Sequence, residues 1–125
     1  MTAPDLAALA AEVHANACAK GWWPAEPGPE DYERAALMIG CEVVEMVEEY
    51  RRADDDGELS VVVWNHPQGR APFAAQKWPH DYQRWIDHGH KPDGFAIELA
   101  DIVIRTLDLC AAMGVVDDCA KVHPV

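Results

Sequence analysis

"GFAIELADIVIRTLDLCAAMG", residues 94–114, decides how the rest of the chain is read. No proline interrupts the stretch between its two glycines, and its periodicity predicts a helix over 95–113, stopped by Gly114. At about 100° per residue, Glu98, Asp101, Arg105 and Asp108 share a stripe roughly 80° wide. Almost everything else is apolar: Phe95, Ile97, Leu99, Ile102, Val103, Ile104, Leu107 and Leu109. A surface helix shows a broad polar face, so one that is apolar nearly all round is expected at the centre of its fold. Its narrow polar stripe then meets either a thin strip of solvent or a polar cleft between helices. Carboxylates are rarely buried unless paired or bound to metal.

A second acidic helix precedes it. "IGCEVVEMVEEYR", residues 39–51, carries no basic residue before Arg51. With Glu42 as zero on the wheel, Glu49 falls near 340° and Glu45 near 300°, while Ile39, Val43, Met46, Val47 and Tyr50 span about 40° to 140°. These glutamates are expected to border a buried apolar face, with Glu48 farther round in solvent. Pro29 suits the first turn of this helix, Glu30 and Asp31 suit its positive end, and it is expected to run to about Arg52.

Around these two helices the chain reads as follows. Residues 4–20 are expected to form a helix on Leu6, Leu9, Val13 and several alanines, capped near Thr2 and Asp5 and stopped at Gly21. "GWWPAEPGPE" (21–30) is a connector, "ADDDGE" (53–58) a solvated turn, and "LSVVVW" either a short strand or a buried extended segment. A short helix is expected at 79–88, a turn at "GHKPDG", and a further helical turn at 116–122. The fold class is all-α: a single domain over 1–125, an antiparallel four-helix-type bundle with an irregular loop between the second and third helices. Its large apolar faces point to a homo-oligomer, a homodimer or homotetramer.

Composition narrows the function classes. Aspartate and glutamate number 22 against 10 lysines and arginines, a net charge of -12, which argues against a nucleic acid polymer or a membrane surface as partner. No run of residues is apolar enough for a membrane span, and no signal peptide is recognised. The four cysteines lack a metal or disulfide spacing, so they are expected reduced and mostly packed in a cytoplasmic protein.

Two acid pairs at i, i+3 spacing, Glu42/Glu45 and Glu98/Asp101, can face each other across a bundle. Four hard oxygen donors suit Mg²⁺ or Mn²⁺ rather than a thiolate- or imidazole-loving metal. A di-iron bundle needs a Glu-x-x-His pair on the ligand helices, and none is present. The competing reading is an acidic solvated face.

Taken together, "CEVVEMVEE" and "KPDGFAIELADIVIRTLDLC" resemble the MazG-like nucleoside triphosphate pyrophosphohydrolases, an all-α superfamily marked by Glu-x-x-Glu on one helix and Glu-x-x-Asp on a later one. The resemblance is closest over Lys91–Cys110 and Leu37–Arg52. It implies Mg²⁺-dependent hydrolysis of an NTP or dNTP to the monophosphate and pyrophosphate, with water attacking the α-phosphorus. Glu42, Glu45, Glu98 and Asp101 would be the metal ligands, and Glu45 or Glu49 the proton acceptor. Two departures are visible: Cys41 stands where some members carry a further glutamate, and the spacing between the acid pairs is longer. The alternative is a non-catalytic helical domain of that fold that binds nucleotide or a protein.

The same reading supplies candidates for the rest of a nucleotide. Residues 64–91 hold Arg70, Lys77, Arg84 and Lys91 against Asp81 and Asp87; Lys91, Lys77 and Arg84 are candidate phosphate contacts. Arg105 either binds phosphate or orients Asp108 or Glu98. Trp22 and Trp23 either stack on the base, as aromatic residues near this position do in related enzymes, or pack between helices.

Overall fold

The computed structural model of the protein describes residues 5–56, 63–66, 69–71 and 91–122. Four helices dominate them: α1 (Leu6–Ala19), α2 (Pro29–Asp56), α3 (Phe95–Met113) and α4 (Val116–Val122). Between α2 and α3 run three short strands, β1 (Val63–His66), β2 (Gly69–Ala71) and β3 (Lys91–Asp93), in the order β2-β1-β3. The helical class holds. The connector is not wholly irregular, because β1 pairs antiparallel with both neighbours, Trp64 opposite Ala71 and Pro92, and Asn65 opposite Arg70 and Lys91. The expected turn at "GHKPDG" is therefore replaced at Lys91–Asp93 by a strand. The solvated turn expected from residue 53 begins later, since α2 continues to Asp56. The helix expected at 79–88 lies outside the described residues.

The chain falls into two compact units, Met1–Cys41 with Ile102–Val125, and Glu42–Asp101. In the first unit, α1 begins where the Asp5 carboxylate accepts the Ala7 and Ala8 amides at 3.0 and 3.2 Å, satisfying two donors that a helix start leaves open. It ends at Gly21, whose φ of 76° lets the Gly21 amide reach the Cys18 carbonyl and the Trp22 amide reach the Ala17 carbonyl, both at 3.0 Å. This left-handed turn closes the last carbonyls of the helix and delivers Trp22 and Trp23 directly after it. α1 packs against α4. Its buried positions are Ala10 and Ala17, seven apart on one face, while Leu6 and Leu9 are exposed. Of the apolar pattern, the small alanine side chains thus occupy the inner face and the leucines lie outside.

In the second unit part of the expected apolar face is exposed and two of the bordering glutamates are buried. Val43, Val47 and Tyr50 of α2 are exposed, Tyr50 at 54 %, whereas Glu42 and Glu49 are buried. Leu99 of α3 is exposed as well. In the first unit Val103 and Ile104 are exposed too, so α3 is not covered all round as its composition suggests. A helix wheel fixes relative angles but carries no sign, and it cannot tell which side turns inward. The Tyr50 and Phe95 rings approach to 6.4 Å between centroids, a tilted aromatic pair linking α2 to the start of α3. No described helix is long and apolar enough to cross a membrane. All four cysteines are free; Cys18, Cys41 and Cys119 are exposed and Cys110 is half-buried, which corrects the expectation that they are mostly packed.

Gly21 offers a clean test of the α1 stop, because a Cβ built there meets nothing within 4 Å. Gly21→Ala is expected to destabilise the protein by about 1 kcal/mol through the positive φ alone. Urea denaturation would show this as a lower midpoint at unchanged slope.

Candidate functional site

Within the second unit, α2 contributes Glu42 and Glu45, and the first turn of α3 contributes Glu98. One carboxylate oxygen from each of these three lies within 4.8 Å of the others. Glu42 and Glu98 are 6 % and 7 % exposed, and Glu45 is open to solvent. Their gathering follows from local geometry. On α2 the i, i+3 spacing puts Glu42 and Glu45 on neighbouring turns. On the other side, β3 leads straight into Gly94, whose carbonyl accepts the Glu98 amide at 3.1 Å and so opens α3. The Gly94 amide donates to the Asp93 carboxylate at 2.8 Å, which fixes that acid beside the helix start.

Glu98 is the unusual member. Its Oε2 is buried and has no hydrogen-bond partner. Burial, then a hydrogen bond and charge from Asp93, then the charges of Glu45 and Glu42, push its carboxyl up from 4.5 to about 8. The set therefore consists of hard oxygen donors crowded together, one of them holding its proton well above the usual carboxylate range, with one buried oxygen left unsatisfied. Those properties fit Mg²⁺ or Mn²⁺, which take carboxylate oxygens and water. Asp101, the fourth expected ligand, is half-buried and stands outside this close group. Glu49 is buried and forms an ion pair with Arg52 Nη1 at 3.0 Å. Glu48 is exposed, as the wheel suggests.

The first unit holds a cleft of about 380 Å³, a size suited to a small organic group. Trp22, Trp23, Arg34, Arg105, Asp31 and Asp108 line it, with Ala35 and Met38 adding apolar surface. Both tryptophans singled out in the sequence are here, but they are held differently. Trp23 is half-buried, edge-on to His14 with centroids 5.7 Å apart and tilted against Tyr32 at 5.9 Å. Its indole N–H donates to both oxygens of Asp108 at 2.9 Å. Trp22 is exposed, and the Lys20 ammonium and the Arg105 guanidinium each lie 5.3 Å from its ring centroid, a cation–π arrangement.

Asp31 sits in the first turn of α2. Its Oδ2 accepts the Gly28 amide at 2.8 Å and its Oδ1 accepts from Arg34 at 2.7 Å. The Gly28 amide, aided by Arg34 and opposed by partial burial, holds this carboxyl below its usual range. Arg34 is thereby aimed along the cleft wall. Lys91 belongs by its backbone to β3, opposite Asn65. Lys77 and Arg84 lie outside the described residues.

Three contributors escape the sequence reading. His14 bonds Asp108 through Nδ1 at 2.7 Å, Arg34 lines the cleft, and Asp93 raises the Glu98 carboxyl. Only Asp93 carried a visible signal, in the "KPDG" ahead of α3. No family model, no curated protein and no solved structure matches this chain.

The Glu98 carboxyl sets a pH test. Because it is raised in the folded chain, that chain binds more protons than the unfolded one between about pH 5 and 8, and metal-free stability is expected to fall as pH rises across that window. Divalent metal requires the deprotonated ligand, so stabilisation by Mg²⁺ or Mn²⁺ is expected to grow over the same range. Thermal unfolding with chelator or with metal, compared between wild type and Glu98→Gln, checks both slopes. Equal slopes in the two proteins would dismiss the role of Glu98.

Proposed function

We propose that the protein is a magnesium-dependent nucleoside triphosphate pyrophosphohydrolase of the MazG-like kind, releasing pyrophosphate and a nucleoside monophosphate. The observation that carries this reading is the close group of Glu42, Glu45 and Glu98 with its unsatisfied buried oxygen. These three carboxylates would hold the ion, with Asp101, one turn after Glu98 on α3, as the further candidate donor. A bound Mg²⁺ or Mn²⁺ would neutralise the triphosphate, polarise its phosphoryl oxygens and make a water easier to deprotonate.

The protein's own residues divide the remaining work. Glu45, the solvent-open member of the group, accepts the proton of the attacking water. Glu49 keeps Arg52 beside it on α2 and is the reserve proton acceptor. Within the first unit, Trp22 presents an exposed ring on which an aromatic group can stack, and Asp108 locks Trp23 as a wall of the cleft rather than as a mobile stacking partner. Arg105 takes an anionic group at the cleft, and Lys91 is the further candidate for phosphate. Stacking discriminates weakly among bases, so the substrate class is an NTP or dNTP.

A panel of NTPs and dNTPs with Mg²⁺, assayed by phosphate release in the presence of added pyrophosphatase, tests the proposal. At least one nucleotide is expected to turn over, and Glu45→Ala, Glu98→Gln and Asp101→Ala to lower kcat/KM by about a hundredfold or more. Nucleotide binding without turnover in any condition would leave the non-catalytic alternative standing.

The exposed Val43, Val47 and Tyr50 support self-association as a homodimer or homotetramer. Surface of this kind costs roughly 25 cal/mol per Å² while it remains in water, and a second copy removes it from water. Sedimentation equilibrium is expected to give a mass above 13.8 kDa, and Val47→Glu to reduce it. A monomeric wild-type protein would refute this part.

A further inference from the structure

Cys18 lies one helical turn after His14 on α1, and its Sγ is 3.6 Å from His14 Nε2. The other ring nitrogen, Nδ1, is 2.7 Å from Asp108 Oδ1. Trp23 Nε1 can only donate, and it reaches both Asp108 oxygens at 2.9 Å, which marks this carboxylate as the acceptor of the network. His14 Nδ1 accordingly donates its proton to Asp108, and the Nε2 lone pair of the neutral ring is left for the Cys18 thiol. Asp108 is 6 % exposed while Cys18 is open to solvent, so the relay is anchored at one end and accessible at the other.

A thiol, a base within reach of it and a third group orienting the base form the arrangement that activates nucleophiles. The helix itself works against a thiolate here, since Cys18 is in the last turn of α1 and faces the negative end of the backbone dipole. Glu12 and Lys20 flank the pair on α1, Asp108 faces it from α3, and α4, packed on α1, carries Asp117, Asp118, Cys119 and Lys121. A protonated His14 is therefore the group that must hold a thiolate in place.

We infer that Cys18 is a reactive thiol, with His14 as its proton acceptor and Asp108 as the positioning carboxylate, and that it is a site of reversible modification by small disulfides. The Cys18 proton passes to His14 Nε2, and the thiolate attacks one sulfur of the disulfide. A new Sγ–S bond forms, the old S–S bond breaks, and the departing thiolate takes the proton from His14 as it leaves as a thiol. Cys18 is oxidised, the departing sulfur is reduced, and no further reagent is needed.

The test follows each cysteine of the full chain by peptide mass spectrometry during reaction with iodoacetamide and with hydroxyethyl disulfide. Both reagents are neutral, so the net charge of -12 does not bias access. Exposed Cys41 is the internal reference, with rates normalised to the guanidinium-unfolded chain. Cys18 is expected to react about fivefold faster than Cys41 at pH 7. His14→Ala brings it down to the Cys41 rate, and free imidazole then restores the Cys18 rate alone. Equal rates in the wild type, an advantage that survives His14→Ala, or no rescue by imidazole would overturn the inference. Should His14→Ala lose its helical circular dichroism, His14→Gln and Asp108→Asn are measured in its place, and a retained advantage in both has the same meaning.

Discussion

Like charge in a confined space is the constraint on which the second unit is organised. The Glu42, Glu45 and Glu98 oxygens lie within 4.8 Å of one another, and at that outer limit two carboxylates at an effective dielectric of about 20 repel by about 3 kcal/mol. Solvent at Glu45 lowers that figure, while burial of Glu42 and Glu98 maintains it. The chain relieves the repulsion by keeping a proton on Glu98, whose carboxyl rises to about 8. A divalent cation would relieve it more completely, by replacing repulsion with attraction beside the stranded Glu98 Oε2. Arg52 serves Glu49 instead, so the neighbouring acid has its own counter-charge.

The apolar side of the same helices completes the picture. With α2 turning Glu42 and Glu49 inward, Val43, Val47 and Tyr50 are left in water. Each choice is unfavourable for an isolated chain. Burial strips a carboxylate of hydration, and valine and tyrosine side chains left in water forgo the gain of burial.

Legibility in the sequence tracks which physical signals are local. Helices α1, α2 and α3 announce themselves by period, and Asp5, Gly21 and Gly114 mark their ends because capping is written into adjacent residues. The association of Glu42 and Glu45 with Glu98 could be anticipated because each sits at a fixed phase on its own helix. Which side of each helix turns inward could not, since phase fixes relative angle and burial is decided by partners far along the chain. The β1–β3 pairing was hidden for the same reason: Val63 and Asp93 are brought together by long-range hydrogen bonds. His14 stayed invisible because Asp108, its partner, is 94 positions away. Trp22 and Trp23 were found as a pair, yet only the structure separates the exposed ring from the one tied to Asp108.

The pairing of β3 with β1 has a further consequence through Gly94. Val63 stands opposite Asp93, and the chain passes from Asp93 through Gly94 directly into α3. The strand register is thus the phase reference of the helix. One residue inserted between the ladder and Phe95 would turn every following α3 position by about 100° relative to the sheet and carry Glu98 away from Glu42 and Glu45. A sheet of three short strands, too small to add much to stability by itself, works here as an indexing stop that sets where a helix begins its rotation.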